Sequence, residues 1–205
     1  MQLLPLLLLI ANLEPHNVKL EEVTFKGRAC IRLTDTAPTG LVAPERLAIL
    51  KGSSFTDGII EFGLAGDRLP SAPESSRGFT GLAFRVGPGG EPYNNAFYLR
   101  PYNGRSPNQV QRNHSAQYIA IPGYDWSPLR EKFPKMYESY VDLVPGEWTK
   151  VKIEVRGNTA KLFVNGATQP TLLVNDLLTG NPTGALALWI GPGSQSHFAN
   201  LRITR

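Results

Sequence analysis

Cysteine is almost missing from this chain. Cys30 is the one thiol in 205 residues, so no disulfide can close within the chain and no zinc site can be built from thiolates. In the run "RACIRLTD" it reads as a small buried apolar residue. Long apolar runs are missing too. Leu6 to Ala11, inside "MQLLPLLLLIAN", is too short to span a bilayer, and no other stretch predicts a membrane span. Charge is not gathered. The net value is +4 and the Lys and Arg residues form no basic block, which leaves out a nucleic-acid partner. A local basic patch that attracts an anionic ligand stays open. There is no G-x-S-x-G, no phosphate-binding Walker loop and no H-E-x-x-H, so the chemistries these spacings support have no starting point. The histidines, His16, His114 and His197, are widely separated, and no metal site is predicted from them. No long amphipathic helix is present.

What the chain does have is glycine, proline and alternation. Twenty Gly and seventeen Pro are scattered between apolar runs, as in an all-β chain with many turns. In "GFTGLAFRV", Leu82, Phe84 and Val86 fall on one face, with Gly81, Ala83 and Arg85 on the other. Phe97 and Leu99 alternate with Ala96, Tyr98 and Arg100. In "HSAQYIA", His114, Ala116 and Tyr118 oppose Ser115, Gln117 and Ile119. Val151, Ile153 and Val155 oppose Lys150, Lys152 and Glu154, and Leu162 and Val164 continue the pattern. Leu186, Leu188 and Ile190 oppose Ala185, Ala187 and Trp189. Period two predicts half-buried strands. "RGN" at 156–158 predicts a hairpin turn, and "GPGGEP" at 87–92 joins two further strands. Residues 127–140 hold at most one short helical turn, interrupted by Pro134. Segments 66–78 and 101–111 read as polar loops of the length that carries function in compact β domains. Many short strands without helices leave a sandwich or a barrel. Residues 12–205 form one domain, and residues 1–11 a signal-like or first-strand segment. The signal-like reading points to a secreted or periplasmic protein, although no basic residue precedes the run and no small-x-small cleavage site follows it.

One polar row stands out. Tyr98 and Arg100 share one strand face, and Arg112, His114 and Tyr118 share one on a later strand, with Arg85 contributed by an earlier strand. Small residues, Gly81, Ala83, Ala96 and Ala116, lie between them. Small side chains leave room on a sheet face and large polar ones reach into it, the composition of a ligand site. Trp189 fits the same face as a stacking platform, and Asn113 and Gln117 add amide groups. Trp126 and Tyr124 lie on the Pro-rich loop "PGYDWSPLR", as a lid or as packing. The competing reading is a solvent-facing strand, which also alternates polar with apolar residues.

"GEWTKVKIEVRGNTAKLFVNG" resembles the strand–turn–strand of concanavalin A-like and laminin-G-like jelly rolls. "GALALWIGPGSQSHFANLRIT" is similar to their closing strands, and "FTDGIIEFGL" to an early one. The order also resembles bacterial 3-keto-disaccharide hydrolase-like domains. The resemblance implies two curved antiparallel sheets in a jelly-roll sandwich, with carbohydrate on the concave one. It implies no cofactor beyond room for structural calcium, for which Asp57, Asp67 or Asp176 could serve. By the family pattern Trp148 is structural.

Laminarinase-type glycosidases on this fold carry paired carboxylates on one strand, and none are found here. Glu138 and Asp142 are four apart, which on a strand separates them by roughly 13 Å, too far to act on one bond. Several functions remain. One is a binding module using Arg85, Tyr98, Arg100, Asn113, Gln117, Trp126 and Trp189 on an anionic or neutral glycan. Another is a polysaccharide lyase with His114 as base, Tyr118 or Tyr98 as acid, and Arg100, Arg112 and Gln117 neutralising a carboxylate. A third is a keto-sugar hydrolase or lyase using Glu138, Asp142 or Glu61. The last is a structural or adhesive module of a secreted assembly.

Overall fold

The computed structural model describes residues 2–3 (as backbone), 10–37, 45–90, 93 and 95–205. Two antiparallel sheets account for most of it. The first runs in the order β13 (Leu172–Val174), β12 (Thr159–Val164), β11 (Thr149–Arg156), β6 (Gly58–Arg68), β15 (Ser194–Thr204), β4 (Arg28–Asp35) and β3 (Val18–Phe25), with β1 (Gln2–Leu3) added beside β15. The second runs β10 (Glu138–Ser139), β9 (Ala116–Ile119), β8 (Asn95–Leu99), β7 (Thr80–Val86), β14 (Gly184–Ile190), β5 (Leu47–Phe55) and β2 (Leu13–His16). Three short helices sit on the β8–β10 side: α1 (Pro101–Gly104), α2 (Gln109–Arg112) and α3 (Trp126–Lys132). Among the described residues no helix is long and apolar enough to cross a membrane. Of the apolar run Leu6 to Ala11, Leu6 to Leu9 lie outside the described residues.

The alternation read from the sequence sets the core. Leu82, Phe84, Phe97, Leu186 and Leu188 of the second sheet are buried, as are Ile60, Leu64, Val151, Ile153, Leu162, Ile31 and Leu33 of the first. They belong to one contiguous hydrophobic cluster. The β11–β12 hairpin turns on Gly157 and Asn158, with Arg156 paired to Thr159. A positive φ of 53° at Gly157 explains the glycine, because only a residue without Cβ adopts it freely.

The strand alternation fails at three places that matter for function. Arg85 is the extra residue of a bulge: Ala185 pairs with Val86 and Leu186 with Phe84, and Arg85 takes φ 58°. Its side chain therefore does not follow Gly81 and Ala83 onto the outer face. It is fully buried at the end of the sandwich and donates to the carbonyls of Thr56, Gly157 and Gly180. Arg85 is thus a tie between loops and not a ligand-facing residue. At the second place, β9 begins at Ala116, so His114 lies in the turn before it and is not bound by the strand's phase. At the third, the expected loop 101–111 holds α1 and α2, the latter capped by Asn108, whose side chain accepts from Val110 N and Gln111 N. The short helix expected in 127–140 is α3, and it ends before Pro134.

Candidate functional site

Register places one row of residues across the second sheet. Trp189 on β14 pairs with Gly81 on β7, Gly81 with Tyr98 on β8, Tyr98 with Gln117 on β9, and Gln117 with Glu138 on β10. Successive strand residues point to opposite faces, and the core takes the neighbours Leu82, Phe97 and Tyr118. The row therefore faces away from the core. Gly81 is what lets its neighbours meet. A Cβ there would sit 2.1 Å from Phe97 O and 2.7 Å from Tyr98 Cα. Across that gap the Tyr98 and Trp189 rings lie 4.7 Å apart between centroids, tilted by 30°.

Above the row are two adjoining hollows. The first, about 370 Å³, is walled by Phe79, Tyr93, Tyr98, Ile119, Trp126 and Trp189. The second, about 270 Å³, is lined by Arg77, Arg100, Arg130, Asn103, Gln111 and His114. Phe79 and Trp126 line both. Trp126 is held there by the start of α3. Asp125 caps the helix, accepting from Trp126 N at 2.7 Å, Leu129 anchors it in the core, and the Arg130 guanidinium lies 4.9 Å from the indole. Trp126 remains 42% exposed, enough to offer a stacking surface. Tyr124, by contrast, packs against the core.

Beneath the second hollow is a dense polar cluster. Arg100, 5% exposed, donates to Tyr98 Oη (2.7 Å), Gln117 Oε1 (3.1 Å) and the His114 carbonyl (2.8 Å). Glu138 is paired with Arg130, with Arg100 at 3.7 Å and with His114 Nε2 at 3.3 Å. A buried carboxylate needs such partners, since an unpaired charge out of water is costly. Asn103 donates to the His114 carbonyl, and its Oδ1 is buried without a partner. Burial pushes the Tyr98 hydroxyl up to about 12, although Arg100 pulls the other way. Tyr98 is therefore a neutral O–H donor at physiological pH. Burial holds His114 below its ordinary 6.5; Glu138 opposes this, and Arg130 and Arg100 reinforce it. The imidazole is thus neutral at pH 7.

Several residues expected in the row lie elsewhere. Tyr118 faces the core between Phe97 and Tyr137, and its hydroxyl donates to Asn95 Oδ1 and accepts from Leu178 N. It cannot supply a proton to a ligand on the outer face. Arg112 ends α2 and bonds the Tyr140 hydroxyl, and Asn113 accepts from Gln109; neither lines either hollow. Asp142 pairs with Arg105, and Glu61 lies on the first sheet. Trp148, in the segment just before β11, is stacked under Arg28 and donates to Phe25 O. The carboxylates named for calcium do not converge, and Asp67 lies on β6. Asp57 serves Arg85 and Gly157 N, Asp67 accepts from Tyr102 and Asp176 from Tyr137. Among the described residues no three His, Cys, Asp or Glu side chains are grouped as a metal would need.

His114, Tyr98, Arg100, Gln117, Glu138, Trp126 and Trp189 do come together. The sequence reading missed Arg77, Phe79, Tyr93, Asn103 and Arg130. Arg77 and Asn103 fall in the segments 66–78 and 101–111 that read as long polar loops, and that length was the available signal, although Asn103 lies on α1. Arg130 carried none, because it reaches the cluster only through the placement of α3.

No family model matches the chain, and no curated protein matches it in sequence. Solved structures do match in shape. The carbohydrate-binding module CBM66 from Bacillus subtilis is 12% identical with a TM-score of 0.56, covering 95% of this chain and 96% of that one. A Bacillus subtilis protein with a galectin-like fold is 13% identical with a TM-score of 0.55, covering 95% and 89%. An alginate lyase of polysaccharide lyase family 7 is 12% identical with a TM-score of 0.50, covering 85% and 77%. At these identities the likeness shows the fold alone: two antiparallel sheets in a jelly-roll sandwich of the concanavalin A-like type.

Proposed function

We propose that this protein binds carbohydrate across the outer, concave face of the second sheet, and that the glycan carries an anionic group. A sugar ring enters the first hollow, with its apolar C–H face against Trp189, Tyr98 and Trp126. Its anionic substituent is held in the second hollow by Arg77, Arg100 and Arg130. The observation that carries this reading is an aromatic hollow on the register row, lined by Tyr98 and Trp189, adjoining a cationic one whose Arg100 is bonded to Tyr98 and Gln117 of that row. An apolar wall with a few placed polar groups is how small-ligand sites are built. The shape neighbours include a carbohydrate-binding module and an alginate lyase, which fits a glycan ligand.

A second reading, elimination, is favoured by Tyr98, Arg100, Gln117 and His114 gathering in one cluster. Neutral His114 would take the proton α to a uronate carboxyl. The bond from the β-carbon to the glycosidic oxygen would break as the double bond forms, and Tyr98 would return a proton to that oxygen.

The test is a panel of neutral and uronate-containing polysaccharides, read by affinity electrophoresis and product analysis, with Trp126→Ala beside the native protein. A uronate polymer is retained, and the variant binds about tenfold more weakly, ~1.4 kcal/mol. Unsaturated sugars lost in His114→Ala would favour elimination. Retention of no glycan, or equal retention by Trp126→Ala, would overturn the proposal.

A further inference from the structure

The second hollow holds three guanidinium groups around one imidazole. Arg77 comes from the loop before β7, Arg100 from the end of β8 and Arg130 from α3, and the carboxylate of Glu138 on β10 contacts His114. Tyr98 meets the group only through Arg100, and its hydroxyl stays protonated. His114 is thus a neutral ring in a cationic surround, with 22% of its side chain exposed on the hollow.

On the reading proposed above, we infer that His114 couples capture of the anionic group to uptake of a proton, so that the cleft holds an acidic glycan more tightly as pH falls. The cause is local. Without ligand, Arg100 and Arg130 oppose a charge on His114, and Glu138 is shared among three partners. A bound carboxylate cancels part of the guanidinium field and gives His114 a second anion to face. The proton and the ligand then favour each other by the same factor, as linkage requires. In the free site His114 titrates below its ordinary 6.5, and the bound anion moves that titration upward, so affinity rises as pH falls through the bound-state value and levels off below the free-state one. A uronate carboxyl, with a pKa of ~3.5, stays ionised through that window.

Isothermal calorimetry tests this with galacturonate, mannuronate and glucuronate oligomers, and with a cello-oligosaccharide as neutral control. Titrations run from about pH 7.5 to about pH 5, each in two buffers of different ionisation enthalpy. The native protein gains about threefold to tenfold in affinity for the acidic ligand over that range and takes up a fraction of a proton on binding within it. His114→Gln, whatever its affinity, shows no slope and no uptake. A slope that persists in that variant belongs to another group and overturns the inference. A native protein that binds a uronate without proton uptake also overturns it, whether or not the variant folds. If none of the oligomers bind at any pH, the reading of the site fails first, and the coupling fails with it.

Discussion

Replacing Arg85 by methionine separates a ligand role from a structural one. The side chain is fully buried. Its Nε and Nη2 donate to Thr56 O at 3.0 and 2.9 Å, Nη1 donates to Gly180 O at 2.9 Å, and Nη2 donates to Gly157 O at 2.7 Å. Nη2 also meets Asp57 at 3.2 Å. Methionine keeps the length and removes the donors. Three loop carbonyls then lose a charged partner, at about 1–3 kcal/mol each. Relief from burying a guanidinium offsets part of this, as does water reaching the loops. Removal of one member of a buried charged network typically costs about 3–5 kcal/mol. For a chain of this size that lowers Tm by roughly 6–20 °C. Thermal and urea unfolding followed by circular dichroism measures the loss, and calorimetry measures ligand affinity below the transition. The expected result is a large loss of stability with the affinity of the cleft unchanged. A loss under about 1 kcal/mol together with lost binding would refute this reasoning and return Arg85 to the ligand face.

Gly81→Ala should damage both sheet and site. The new Cβ meets the backbone of Phe97 and Tyr98, so β7 and β8 must part, at about 1–3 kcal/mol, and the Tyr98–Trp189 contact opens. Unchanged unfolding and ligand affinity would contradict the close approach. The pH dependence of stability has a defined sign. Burial depresses His197, and His114 as well, from the ordinary 6.5, although Ala65 O raises His197 by accepting its hydrogen bond. The unfolded chain therefore binds the proton first. The stabilisation is present above 6.5 and is lost as pH falls through and below it. His197→Phe keeps the stack on Phe25, now 3.8 Å between centroids, and should flatten that slope. An unchanged slope would remove His197 from the account.

The composition and the period-two alternation were sufficient for the all-β class and for most core faces. Burial of alternate side chains is a local consequence of the pleat, and Leu82, Phe84, Phe97, Ile153 and Leu188 obey it. The hairpin at Gly157 and Asn158 was legible for the same reason, because turn chemistry is local. Absent nucleophile and phosphate-loop spacings could be read directly from the chain. The polar row was legible only in part. Tyr98, Gln117 and Trp189 lie in regular strands, so register alone aligns them. Tyr118 was misread because polar type was taken for outward facing, whereas its hydroxyl is satisfied inside the core. Arg85 was misread because a bulge depends on how β7 and β14 are paired, and nothing within one strand announces it. His114 reaches the face of Gln117 because the strand starts two residues later, at Ala116. Glu138, Arg130 and Arg77 join the cluster from elements far apart in sequence, and only the tertiary structure brings their charges within reach of one another. Alternation decides which side of a strand a residue takes, but only the packing of separate segments decides what it meets there.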